Sequence, residues 1–232
     1  MLNIEQFRFG DNLGYLIYGK TEAMAVDGGA WQEILAFLDK QQRTLKFVTN
    51  THRHYDHTPG DDHLLAKTKA VFLDCSAFAD HETILLADET VVVYRTPGHS
   101  AHSVCFHADD NLITGDTLFN GTIGNCFSGN LKGFFESIVR LMRLPDHTRI
   151  FAGHDYVRDS LAYARHLEPD NEAINLFRQT YDPDLVFSTL AQECQINPYL
   201  RFNEPAIVKL IVQRGLPHAT EWERWNSLMA ID

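Results

Sequence analysis

Within six positions, His52, His54, Asp56 and His57 bring together three imidazoles and one carboxylate. Neutral imidazole nitrogen and carboxylate oxygen are the usual ligands of zinc, iron and manganese. A backbone bend at such a cluster aims His52 and His54 at one point in space, and Asp56 and His57 at another. Two neighbouring points suit two metal ions, and a metal pair makes a hydrolytic centre. A histidine-rich solvated loop is the plain alternative.

One loop cannot supply every ligand that two ions need. Three further candidates each follow a strand-like run. The β-branched run 90–96 stops at Pro97-Gly98, and His99 comes next. The run 111–115 ends on Gly115, and Asp116 follows. A third run, 149–153, ends on Gly153, and His154 follows. Glycine lets the backbone turn sharply beside a crowded site, and strand ends hold side chains on a rigid frame. Any one of these is a weak signal, but strand, small residue and ligand recur three times in that order.

The spacing His52-x-His54-x-Asp56-His57, with His99, Asp116 and His154, resembles the metallo-β-lactamase superfamily. The resemblance implies an α/β fold, an αββα sandwich with metals at one edge between two sheets. It also implies that one metal takes His52, His54 and His99, that the other takes Asp56, His57 and His154, and that Asp116 bridges them. The segments Thr96-Pro97-Gly98-His99-Ser100, Gly115-Asp116-Thr117-Leu118-Phe119 and Gly153-His154-Asp155-Tyr156 are similar to glyoxalase II, the hydroxyacylglutathione hydrolases. So are residues 164–169 and 188–201 downstream, where that family's helical C-terminal domain starts. The expected division is residues 1–168 for the sandwich and 169–232 for a helical substrate-binding domain.

That resemblance implies two divalent ions, zinc first, with iron or manganese served by the same donors. It also implies a glutathione thioester as the small-molecule partner. Tyr156 matches the family's substrate-contacting tyrosine. Asn125 stands where the family carries a Lys or Arg, and Phe127 where it often carries a tyrosine. In the last helix only Arg224 is placed to meet a substrate carboxylate. These four are the expected substrate contacts.

Two cations lower the pKa of a shared water to about 7 and stabilise the oxyanion of an attacked carbonyl. A thiol leaves readily as thiolate, its pKa being about 8.5, so a thioester demands no strong general acid. The expected reaction is attack of a metal-bridging hydroxide on the thioester of an S-(2-hydroxyacyl)glutathione such as S-lactoylglutathione. Asp56 and Asp116 are the candidate catalytic carboxylates. Alternatives are a metallo-hydrolase of another thioester, ester or lactone, a persulfide dioxygenase, and a non-catalytic metal-binding protein.

The elements that must position these groups are legible as alternating strands and helices. Strand-like runs at 2–9, 13–18 and 23–26 form a meander, followed by an amphipathic helix over 30–42. A strand at 45–49 delivers the histidine loop, and 60–69 reads as a helix. Strands follow at 71–73, 91–95, 103–107 and 112–114, then a helix over 131–144 and a strand around Ile150. The rest is helical, over 157–167, 171–180, 204–214 and 219–229. Strands interleaved with helices, then helices alone, give a layered α/β architecture with a helical appendage.

At 232 residues, 44% hydrophobic and 22% charged, the composition is that of a soluble globular protein. The formal net charge of −11 disfavours nucleic acid and anionic membranes, which need clustered Lys and Arg. No apolar run is long enough to span a bilayer. The four cysteines are scattered with no C-x-x-C, as expected of reduced core residues rather than a thiolate metal site. The start of the chain shows no signal-peptide pattern. A cytoplasmic monomer is the expectation.

Overall fold

A computed structural model describes residues 1–231. Strands β1 (Asn3–Phe9), β2 (Asn12–Tyr18), β3 (Glu22–Val26), β4 (Thr44–Thr49) and β5 (Val71–Leu73) form one sheet in that order. Helices α1 (Trp31–Gln41) and α2 (Asp61–Lys67) cross between its later strands. A second sheet is built from β6 (Thr83–Leu86), β7 (Glu89–Arg95), β8 (Val104–Ala108) and β9 (Asn111–Gly115). It continues through β12 (Arg149–Ala152) to β13 (Ser188–Thr189). Between β9 and β12 lie the hairpin β10 (Leu118–Phe119) and β11 (Thr122–Ile123) and the helix α3 (Leu131–Leu141). Five helices complete the chain: α4 (Val157–Leu167), α5 (Glu172–Thr180), α6 (Leu190–Ile196), α7 (Pro205–Gln213) and α8 (Glu221–Leu228).

Alternation along the strands sets the layers, because successive side chains point to opposite faces. Tyr15, Ile17, Met24 and Val26 face inward, where they meet Val104, Phe106, Ile113 and Phe151 of the second sheet. The intervening Leu16, Ala23 and Ala25 face outward against Ile34 and Leu38 of α1 and Leu64 of α2. On the other side, Cys105, Leu112 and Ile150 point out to Phe134 and Ile138 of α3 and to Trp225 of α8. The result is helix, sheet, sheet, helix. Both clusters that involve the second sheet continue past residue 168: Ile174 and Phe177 join the inner one, Ile207 and Trp225 the outer one. Phe134 is fully buried edge-on to Trp225 at 5.8 Å, and truncating it to Ala costs about 3–5 kcal/mol.

Strand direction explains why the site lies at one edge. In the second sheet β7 is antiparallel to β8, β8 to β9, and β9 is parallel to β12. Strands β7, β9 and β12 therefore end on the same side. In the first sheet β3 and β4 run parallel, and β2 begins beside the end of β3. An isolated bridge between Asn12 and His154 ties the two sheets together at that edge. Among the described residues no helix is long and apolar enough to cross a membrane.

Candidate metal centre and active site

Every ligand candidate leaves from a strand end at this edge. The loop after β4 carries His52, His54, Asp56 and His57; His99 follows β7, Asp116 follows β9, and His154 follows β12. The backbone is drawn tight beneath them. Gly153 N–H donates to Gly115 O at 2.9 Å, and Leu13 N–H to Gly153 O at 2.8 Å. Gly115 holds φ +50°, and a Cβ there would stand 2.3 Å from Thr51 Oγ1. A Cβ on Gly153 would stand 2.2 Å from Asp116 Oδ1. Both positions need glycine, since a side chain would displace a ligand or its support.

The seven side chains meet in overlapping groups. His52, His54 and His99 converge, as do His52, His57 and Asp116, and Asp56, His57 and His154. His54 Nδ1 lies 2.9 Å from His52 Nε2 and 3.0 Å from His99 Nε2. His154 Nε2 is 3.3 Å from Asp56 Oδ2, and His57 Nε2 is 3.7 Å from the same oxygen. Asp116 reaches both sides: 3.4 Å from His99 and 3.9 Å from His52 on one, 3.4 Å from His57 and 3.5 Å from His154 on the other. A tetrahedral ion about 2.0–2.1 Å from each ligand spaces its ligands roughly 3.4 Å apart. His57 Nε2 and Asp116 Oδ1 are buried without a hydrogen-bond partner. Open lone pairs at that spacing, deep in the protein, fit a cation.

Three of the opposite ring nitrogens, those of His52, His57 and His99, are held by partners, as ligand histidines require. His57 Nδ1 lies 3.0 Å from Asp27 Oδ2, and Asp27 also accepts from Thr51 N at 2.8 Å and Thr51 Oγ1 at 2.7 Å. His99 Nδ1 donates to Asn125 O at 3.0 Å, and His52 Nδ1 lies 3.1 Å from Thr51 Oγ1. Asn12 Nδ2 donates to Asp56 Oδ2 at 3.2 Å. Asp27, Thr51 and Asn12 were not expected at the site. Asp27 reads in the sequence as the turn that closes β3; its burial at φ +52° is the sign that the turn serves another purpose.

Burial pushes the His52 imidazole down to about 2 and lowers that of His99, so both are the neutral rings that a metal needs. Burial opposes charge on His57 too, but Asp27 and Asp116 outweigh it and push the ring up to about 11. A cation at that position takes the place of the proton. Burial also works against the Asp116 carboxylate, but His154 and His57 overcome it and hold the group below the usual range.

The expected substrate contacts separate into two kinds. Tyr156 stacks on the His154 ring at 4.8 Å with 4° between planes, and Phe119 meets it edge-on at 5.2 Å. Phe127 is 68% exposed and lies against His54 and His99. Asn125 holds His99 through its backbone carbonyl. Arg224 donates to Asn203 Oδ1 at 2.6 and 3.0 Å and to His218 O at 3.0 Å, which ties α8 to the loops around α7. Arg53 and Tyr55, inside the histidine loop, face solvent; Arg53 pairs with Asp74 at 3.0 Å.

Comparison with known proteins agrees with this geometry. Residues 78–154 match the family model of the metallo-beta-lactamase superfamily, and residues 155–228 match that of the hydroxyacylglutathione hydrolase C-terminus. A hydroxyacylglutathione hydrolase of Chromohalobacter salexigens is 34% identical, with 89% of each chain covered. The chain belongs to the hydroxyacylglutathione hydrolase family. A second member, from Nitrosomonas europaea, is 33% identical over 90% of this chain and 87% of its own. Among solved structures, ETHE1 from Myxococcus xanthus superposes with a TM-score of 0.70 at 20% identity, over 98% of this chain and 90% of that one. TTHA1623 in a di-iron-bound form gives 0.60 at 19% identity, over 85% and 100%. At such identities these two structures bear on the fold alone, and the fold is the metallo-β-lactamase sandwich that the family shares.

Proposed function

We propose that this chain is a metal-dependent thioester hydrolase acting on S-(2-hydroxyacyl)glutathione, S-lactoylglutathione among them, to give a 2-hydroxy acid and glutathione. The observation that carries the reading is the joining of two ligand groups by one buried carboxylate, Asp116, in a member of this family. His52, His54 and His99 would hold one divalent ion, Asp56, His57 and His154 the other, with Asp116 between them. Zinc suits these donors first, and iron or manganese also fit. When bound, such a pair supplies a water acidified to a pKa of about 7 and an electrophilic contact for the acyl oxygen.

The protein's own residues complete the reaction. Asp56 is the carboxylate that solvent reaches, its side chain 28% exposed against 9% for Asp116. Anchored by Asn12, it orients the attacking water and accepts its proton. The thiol leaves as thiolate, so the site needs no acid on that side. Tyr156 and Phe127 present apolar faces on either side of the ligands and exclude water from the acyl group. The net charge of −11 argues against nucleic acid or anionic membrane as partner, and the reading is of a monomer acting in the cytoplasm.

The test is thiol release from S-D-lactoylglutathione by zinc-loaded protein, with metal content measured in parallel. Asp56→Asn is expected to lower kcat by about 10²–10⁴-fold. Full turnover by that variant at full metal content removes the role assigned to Asp56, and no turnover by the wild type removes the reaction.

A further inference from the structure

Three of the proposed ligand histidines have the far ring nitrogen held by a partner, and His154 does not. Its Nε2 faces Asp56 and Asp116, while its Nδ1 is buried with no hydrogen-bond partner. A ligand ring without such a partner swings about its side-chain bonds unless something else restrains it. Tyr156 lies flat against the ring at 4.8 Å. The rest of the restraint comes through the backbone.

Before His154 the chain is fastened at Gly153, which bonds to Gly115 and Leu13. After it comes Asp155, whose N–H donates to Asp11 O at 3.3 Å. The Asp155 carboxylate is gripped from two distant parts of the chain. Its Oδ2 accepts from Arg8 Nη2 at 2.8 Å and from the Tyr181 hydroxyl at 2.7 Å. Arg8 stands on β1 and also donates to Pro183 O at 2.7 Å, and Tyr181 is the residue that ends α5. One side chain thus joins the first strand and the segment after α5 to the residue beside a proposed ligand. Burial, and then the Asp155 carboxylate, push the Tyr181 hydroxyl up to about 12, so it stays a donor at neutral pH. The Asp155 side chain is only 10% exposed, and its Oδ1 is buried without a partner. An unfilled buried acceptor lowers stability, so stability of the fold alone does not account for a carboxylate here.

We infer that Asp155 is a positioning residue for His154: clamped by Arg8 and Tyr181, it fixes the backbone from which the unpartnered ring reaches the ion shared with Asp56 and His57. This rests on the proposed metal centre and is independent of which thioester is the substrate.

The test measures zinc affinity by competition with a chelator, so it does not depend on turnover. Asp155→Ala is expected to weaken zinc binding by about tenfold or more, the loss typical when the support of a ligand is removed. Tyr181→Phe, which deletes one donor and keeps the ring, is expected to weaken it in the same direction by less. Each substitution is then placed in a His154→Ala and in a His52→Ala background. If Asp155 acts through His154, it has no further effect where that ring is gone and its full effect where His52 is gone. An equal loss in both backgrounds marks a general effect on the fold and overturns the inference, as does an unchanged zinc affinity of Asp155→Ala. If Asp155→Ala does not fold, Tyr181→Phe in the same two backgrounds decides on the same terms. Failure of zinc-loaded wild type to hydrolyse S-D-lactoylglutathione overturns the proposed reaction and leaves this result standing.

Discussion

Two clusters of buried polar side chains in this molecule use the same kinds of atoms and end differently. Around Glu193 the carboxylate is saturated: it accepts from Gly121 N at 3.0 and 3.1 Å, Ser188 Oγ at 2.6 Å and Asn197 Nδ2 at 2.8 Å. That network fastens the turn of the β10–β11 hairpin to α6. At the strand ends, by contrast, His57 Nε2 and Asp116 Oδ1 are buried with no completed hydrogen bond. A folded chain rarely leaves buried acceptors open. The saturated cluster is structure, and the open one is a receptacle for positive charge. Burial alone does not separate them, since Glu193 is 0% exposed and Asp116 only 8%. The convergence of three ligand atoms at metal-binding spacing does.

The sharpest way to break this contrast is to remove Asp116, the carboxylate proposed to serve both ions. Asp116→Ala is expected to lower kcat/KM by at least about 10³-fold, several kcal/mol of lost transition-state stabilisation. Metal analysis should show fewer ions per chain. A variant that keeps both ions and most activity would mean that Asp116 does not join the two groups.

A smaller effect comes from the saturated side. Burial pushes Glu193 up to about 7, against hydrogen bonds from Ser188, Asn197 and Gly121 that pull it down. The folded chain therefore holds a proton that the unfolded chain releases near 4.5. The stabilisation is complete below that lower value and is lost as pH rises through about 7. Denaturant unfolding at pH 5 and pH 8 should show wild type losing about 3 kcal/mol relative to Glu193→Gln, with activity per folded chain similar in the two. No pH dependence in the difference would mean that the network holds a carboxylate at all pH values.

Next in size is the support of the open cluster. Asp27→Asn keeps all seven ligand candidates but replaces the carboxylate that orients His57. Loss of such a partner typically costs 10–100-fold in metal affinity. Competition with a chelator measures it, and an unchanged affinity would show that His57 is held by packing alone.

These contrasts mark what the sequence reveals and what it withholds. The candidate ligands were legible because few residue types bind metal and they recur after strand-like runs. The layers were legible because strands such as 13–18 and helices such as 131–141 are long enough to show their period. Two-residue strands have no period, so β10, β11 and β13 were not visible, and neither was β6. Helix α6 was missed although its capping box, Thr189 with Gln192, is written in the sequence. Asp27 and Asn12 could not be placed, because their partners lie across two sheets. The partners of Arg224 were hidden for a related reason: the direction of a long side chain depends on Asn203, which the helix pattern does not bring near.

The smallest effect is the most direct check on reading position as role. Arg53 sits between His52 and His54, yet its side chain is 60% exposed and pairs with Asp74 across solvent. Asp27 is distant in sequence and lies against His57. If closeness along the chain decided function, Arg53→Ala would matter more than Asp27→Asn. Physical burial argues the reverse, because an exposed ion pair contributes about 0–1 kcal/mol and is screened by salt. Arg53→Ala is expected to keep full metal content, to change kcat/KM by less than about threefold, and to lower stability by under about 1 kcal/mol at low salt. A larger loss of metal or activity would show that Arg53 braces the loop backbone, and the inward partners would then be only part of what sets the ligand geometry.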